Sequence, residues 1–201
     1  MKKIIDIFLR SLLTGVAIAI GGTVYLSCPN KYLGLFVILS FGFNLFTGKV
    51  GYAVENKPSY LGELGIIWLG NFAGTVLSAL LITQTRISTI SDKATELCNI
   101  KLGDNITSVF ILSFFCGILM FVAADGYKTI QNPVGQILAI FLPVVVFILS
   151  GFEHCVANMY FFTIADLWSV KAFGYLIIMS LGNSIGGLLI PLLRKGFVSK
   201  A

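Results

Sequence analysis

The stretch SGFEHCVANMYFF, Ser150 to Phe162, sets a glutamate beside the chain's only histidine, directly after the thirteen uncharged residues ILAIFLPVVVFIL (Ile137 to Leu149). An ionised side chain at membrane depth costs about 2.5–3.5 kcal/mol on insertion scales, so such residues face a bundle interior or a water-filled path. Glu153 and His154 therefore need a reason to be where they are, and that reason decides the fold.

The surrounding chain supplies the context. Of its 201 residues 57% are hydrophobic and 11% charged, with a mean hydropathy of +0.93. Soluble domains carry about a quarter charged residues. The composition predicts an all-α membrane protein, with the whole chain, 1–201, as a single transmembrane domain. Six apolar segments are expected, at Ile7 to Leu26, Tyr32 to Phe46, Leu61 to Ile82, Ile106 to Ala123, Val134 to Ile164 and Leu167 to Leu193. A span needs about 20 apolar residues. The second segment is short and the fifth long, and both contain glycine followed by polar residues, so both are expected to be broken helices. Residues 83–105 read as the longest of the linkers.

The net charge of +5 comes from basic residues scattered between apolar runs, which sets topology and argues against nucleic acid as a partner. With both termini on one side, that side collects nine Lys and Arg and the other five, which predicts cytoplasmic termini. Among the four cysteines, Cys116 and Cys155 fall in apolar segments as small hydrophobes, while Cys28 and Cys98 fall in linkers that could meet on one side, although a disulfide between them is not the expectation. No cleavable signal peptide is evident.

Two patterns occur twice in the same order. FGFNLF (41–46) is echoed by SGFEHC (150–155), and LGNFAG (69–74) by LGNSIG (181–186), at offsets of 109 and 112 residues. Halves of three spans each, about 1–100 and 101–201, would enter the membrane in opposite senses. That is the inverted-repeat plan of aquaporin-like architecture, in which the breaks of two equivalent helices meet near the bilayer midplane. The breaks here are GFNLFTG, beginning at Gly42, and GFEHCVAN, beginning at Gly151, where backbone conformations that a Cβ disfavours are expected. Gly70, Gly74, Gly182 and Gly186 suit close helix packing, and Asn71 and Asn183 are placed to brace the broken helices. His154 is then a pore residue able to hold or donate a proton near neutral pH. Glu153, which would repel anions in a pore, is expected to accept hydrogen bonds from backbone N–H groups freed by the break.

Other chemistries find little support. Adjacency does not make Cys155 and His154 a catalytic dyad, one histidine does not build a typical zinc site, and neither a Walker loop nor a dinucleotide fingerprint occurs. No enzyme activity, metal or cofactor is expected. A neutral-solute pore similar to aquaporins is the alternative, but it predicts paired Asn-Pro-Ala motifs, and QNPVG (131–135) is a single loop match.

SGFEHCVANMYFF closely resembles the fifth-span signature of the formate/nitrite transporter family of bacterial anion channels, and NLFTGK (44–49) resembles its second-span break. LGNFAG and GNSIGG fall where that family has its third and sixth spans, so the likeness covers nearly the whole chain. The resemblance implies a channel or proton-linked transporter for small monovalent weak-acid anions (formate first, then nitrite or hydrosulfide) in the bacterial cytoplasmic membrane. It implies a homopentamer with one pore per protomer. The family's central histidine and threonine fall on His154 and Thr47, and its vestibule lysine on Lys101. Apolar constrictions fall on Leu45 and Phe147, with Leu35 and Tyr32 as further candidates. Asn158, Asn71 and Asn183 match the family's asparagines. Two departures stand out. The first span begins almost at Met1, which puts an N-terminal gate in doubt, and an asparagine that many members carry near Gly117 is missing.

Overall fold

The computed structural model describes residues 1–27 and 44–198. Tyr32, Leu35, Gly42 and Cys28 lie outside the described residues. The elements are α1 (Lys2–Ser27), α2 (Phe46–Lys49) leading into a 3-10 turn (Val50–Val54), α3 (Tyr60–Ile82), α4 (Ile90–Gly103), α5 (Ile106–Thr129), α6 (Pro133–Leu149), α7 (Cys155–Ile164) and α8 (Val170–Val198). The described residues are thus helical throughout. Helices α1, α3, α5 and α8 are long and apolar enough to cross a membrane, whereas α6 and α7 are apolar but each too short to cross alone.

Local signals set the boundaries. The Asn105 side chain accepts the Ser108 amide at 2.9 Å and starts α5. Asn132 accepts the amides of Val134 and Gly135, with Pro133 at the first helical position, and starts α6. One stretch departs from the sequence expectation. Residues 83–105 are not merely a linker, because Ile90–Gly103 forms α4. That helix buries Ile90, Ala94 and Cys98, an i, i+4, i+8 stripe too short and too flanked by polar residues to register as an apolar segment. Cys98 is accordingly a buried free thiol on a helix, and burial pushes it up to about 12.

The two principal helix pairings are α1 with α3 and α5 with α8. Both are made close by small residues. A Cβ at Gly74 would run into the Leu12 carbonyl of α1, and one at Gly186 into the Phe114 carbonyl of α5. Elsewhere the molecule exposes large apolar side chains on the outer faces of its long helices, such as Leu13, Leu69, Leu77, Ile111 and Leu181. A soluble monomer does not carry so much exposed apolar surface.

The apolar segment 134–164 is interrupted. Helix α6 ends at Leu149, Gly151 adopts φ +68°, and α7 starts at Cys155. The interruption is shorter than GFEHCVAN, since Cys155 to Asn158 already form the first turn of α7. Leu45 is likewise extended immediately before α2, which takes in the last three residues of GFNLFTG.

Candidate functional site around His154

Interrupting a helix frees backbone groups that water cannot reach, and an unpaired buried polar group costs about 1–3 kcal/mol. Two asparagines take up these groups in the same way. Asn71 Oδ1 accepts the Phe46 amide at 2.9 Å, while its Nδ2 donates to the carbonyls of Ser11 (2.8 Å) and Asn44 (3.0 Å). Asn183 Oδ1 accepts the Cys155 amide at 2.9 Å, while its Nδ2 donates to the carbonyls of Ser113 (2.7 Å) and Glu153 (2.8 Å). Both asparagines are fully buried. The equivalence of these contacts pairs Phe46 with Cys155, Asn44 with Glu153 and, between them, Leu45 with His154.

His154 is the N-cap of α7: its Nδ1 accepts the Ala157 amide at 3.1 Å. A neutral imidazole that accepts at Nδ1 carries its hydrogen on Nε2. Nε2 lies 2.8 Å from Thr47 Oγ1, across 107 residues of sequence, so Nε2–H donates to the threonine hydroxyl. Thr47 is fully buried and His154 is 3% exposed. The side of His154 that is not packed away lines a cavity of about 450 Å³. Leu45 and Phe147 share that wall, with the Phe147 and imidazole ring centroids 5.6 Å apart.

Lys101 reaches the cavity from the last turn of α4, but not as a free charge. Its Nζ donates to Glu153 Oε2 at 2.6 Å, and the two side chains are only 11% and 6% exposed. Asn158 Nδ2 donates to the same carboxylate oxygen at 2.8 Å and to the His154 carbonyl at 3.0 Å. This corrects the expectation for Glu153. Its carboxylate takes a lysine and an asparagine, whereas the freed amides of the break go to Asn183 and His154. The signal was present in the sequence: a charge at membrane depth demands a partner, and Lys101 was available for Glu153.

The structure therefore brings His154, Leu45, Phe147, Lys101, Glu153, Asn158 and Gly151 to one cavity, holds Thr47 against His154 just behind the cavity wall and sets Asn71 and Asn183 behind the two helix starts. Sequence reasoning overlooked the other end of the cavity, lined by Lys49, Tyr52 and Lys128. Lys49 lies two residues after Thr47, a proximity that marks it. The described residues contain no cluster of three or more His, Cys, Asp or Glu able to hold a metal ion.

Apolar spanning helices around a cavity with a buried polar centre have the layout of a membrane transport protein. Comparison with known proteins makes this specific. The family profile described as Formate/nitrite transporter matches residues 1–195. The chain belongs to the formate/nitrite transporter family, a family of transporters and channels and not of enzymes. The formate-nitrite transporter of Plasmodium knowlesi is 24% identical, over 92% of this chain and 74% of its own length. Formate channel FocB of Escherichia coli K12 is 26% identical, over 78% and 65% of the respective lengths. Nitrite transporter NirC of Salmonella typhimurium LT2 is 28% identical, over 77% and 64%. The chain thus spans slightly less than two thirds of the latter two. A solved structure described as a pentameric formate channel with formate bound matches with a TM-score of 0.84 at 22% identity, covering 100% of this chain and 99% of that one. The two share a fold.

Proposed function

We propose that the protein is a channel or proton-linked transporter carrying small monovalent weak-acid anions, formate, nitrite or hydrosulfide, across a bacterial cytoplasmic membrane. The observation that carries this reading is the Thr47–His154 hydrogen bond at the wall of a cavity bounded by two helix starts. Leu45 and Phe147 narrow the path, so that hydrated ions are excluded. A desolvated anion passing the narrow point then takes the Thr47 hydroxyl as donor, polarised by His154 Nε2–H. Proton donation by the imidazole requires a second proton on Nδ1 and gives up the Ala157 bond, so hydrogen-bond donation is the favoured role.

In this reading the chain forms six spans as two inverted halves, the second and fifth broken, with its termini in the cytoplasm and five protomers in the assembly. The matching asparagine contacts support the repeat, and Gly151 opens the second of its breaks. The Lys101–Glu153–Asn158 group is the polar lining of one mouth, and the relatives named as formate and nitrite transporters support the substrate class. Reconstitution into liposomes tests the proposal. Formate, nitrite and hydrosulfide should pass faster than lactate, acetate or glycerol, and Thr47→Val should slow them. Passage of glycerol but not of the anions would overturn it.

A further inference from the structure

The cavity's two ends differ in charge. At the Lys101 end the lysine is paired with Glu153. At the other end, close to the C-terminal part of α8, Lys49 and Lys128 line the same space. Neither ammonium has a carboxylate within ion-pair distance among the described residues. The nearby acids do not serve them: Asp125 is taken by Arg194 at 2.6 Å, and Glu55 is exposed on the turn beyond Val54. Lys195, which adds further positive charge, donates to the Val54 carbonyl at 3.5 Å.

Lys128 is held in position by the Tyr52 ring, with Nζ 3.7 Å from its centroid. Lys49 is close enough to feel the Lys128 charge. Its carbonyl is fixed by the Tyr60 hydroxyl at 3.2 Å, so this end of α2 is tied to the start of α3. Lys49 is half-buried and Lys128 exposed at the mouth, and like charges lining one cavity repel unless an anion sits between them, the more so where a low-dielectric wall concentrates their field.

We propose that Lys49 and Lys128 form a binding site for divalent oxyanions, of the sulfate or hydrogen phosphate class, that blocks this mouth to the transported anion. A dianion is attracted to both ammonium groups. It stops there because the desolvation cost of an ion grows steeply with its charge, and Leu45, Phe147 and the Thr47–His154 pair offer a dianion too little compensation to go on. The inference rests on the transport reading for its consequence, the block, but not for the binding itself.

Sulfate is the probe. Calorimetry on the full chain in detergent, with chloride keeping ionic strength constant, should detect sulfate binding. Formate flux in vesicles of known protein orientation should be inhibited by sulfate on the Lys49 side and not on the Lys101 side. Lys49→Gln with Lys128→Gln should weaken binding at least roughly tenfold, the factor that about 1.4 kcal/mol produces, and abolish the sidedness. Lys49→Arg with Lys128→Arg keeps both charges and should retain binding, which controls for misfolding of the neutral pair. Absence of sulfate binding to the wild-type protein, equal block from both sides, or binding undiminished in the neutral pair would each overturn the site. Sulfate binding that the neutral pair loses, in a protein that passes no formate, would leave the site standing and defeat the transport reading instead.

Discussion

His154 Nδ1 spends its lone pair on the Ala157 amide, and this restricts what the imidazole can do. With Nε2–H committed to Thr47, the ring is already a complete donor–acceptor bridge. His154→Asn keeps an N-cap acceptor, a favoured residue there, but is too short to reach Thr47. Assembly should be preserved while anion flux falls by up to about tenfold, as expected for loss of a neutral hydrogen bond of about 0.5–1.5 kcal/mol. The pH dependence of flux separates the roles of the ring. A roughly constant deficit in His154→Asn fits a neutral donor, and a deficit that grows as pH falls fits an imidazolium that gives up its proton. The Lys101–Glu153 pair makes a second prediction at this scale. A vestibule lysine read from sequence should act through salt-screened attraction, but this one is buried and paired. Lys101→Met should therefore destabilise the protein by about 3–5 kcal/mol, equally at low and high salt, through the uncompensated carboxylate it leaves. Adding Glu153→Gln should restore much of the loss, read as the coupling term of a double-mutant cycle in thermal unfolding. What the sequence conveyed at the scale of residues was which groups are exceptional in an apolar chain. Which exceptional group meets which, Lys101 with Glu153 across 52 residues, depends on tertiary placement that spacing alone does not specify.

At the scale of elements, the interruption between α6 and α7 was legible because glycine, a polar residue and a histidine end an apolar run. Its length was not, because the helical start at Cys155 depends on Asn183 from another helix accepting the Cys155 amide. Helix α4 was invisible for a related reason: its stripe is anchored by contacts with α7, such as the Ser91 hydroxyl on the Ile164 carbonyl at 2.7 Å. Gly151 gives the break a testable backbone requirement. Its φ is +68°, and a Cβ there would meet nothing within 4 Å, so sterics with neighbours do not enter. Gly151→Ala should cost about 1–2 kcal/mol from the left-handed conformation alone, and Gly151→Asn less, since asparagine tolerates that region. Thermal unfolding of the two variants checks the order, and equal stability of alanine and glycine at 151 would mean the break adopts another conformation. Asn183→Leu removes one acceptor and two donated bonds at once and should destabilise more than Gly151→Ala. Asn71→Leu should behave alike, because its three bonds are the counterparts of those of Asn183.

At the scale of the whole molecule, the exposed leucines and isoleucines on the long helices form an apolar belt, and the polar ends then define two faces. The face that carries the start of α1 also carries the start of α3, where Lys3 pairs with Glu63. It includes the Val50–Val54 turn and the end of α8 as well, joined by Lys195. The opposite face holds the end of α1, where Lys93 donates to the Leu26 carbonyl at 3.0 Å, together with α4 and the Lys101 mouth. Single cysteines report this directly. Lys2, Lys57 and Arg86 are exposed, while the native thiols of Cys98, Cys116 and Cys155 are fully buried. Burial also pushes Cys98 up to about 12, so it stays a thiol at neutral pH and does not attack a maleimide. In a background with Cys28→Ser, an impermeant maleimide added outside intact cells should label Arg86→Cys, and should label Lys2→Cys and Lys57→Cys only after the membrane is opened. Labelling of Lys57→Cys and Arg86→Cys from the same side would place both mouths on one face and leave the cavity with no route across the bilayer. Labelling from opposite sides, but with Lys57→Cys outermost, would invert the orientation while keeping the path, and would move the uncompensated Lys49 and Lys128 to the outer mouth.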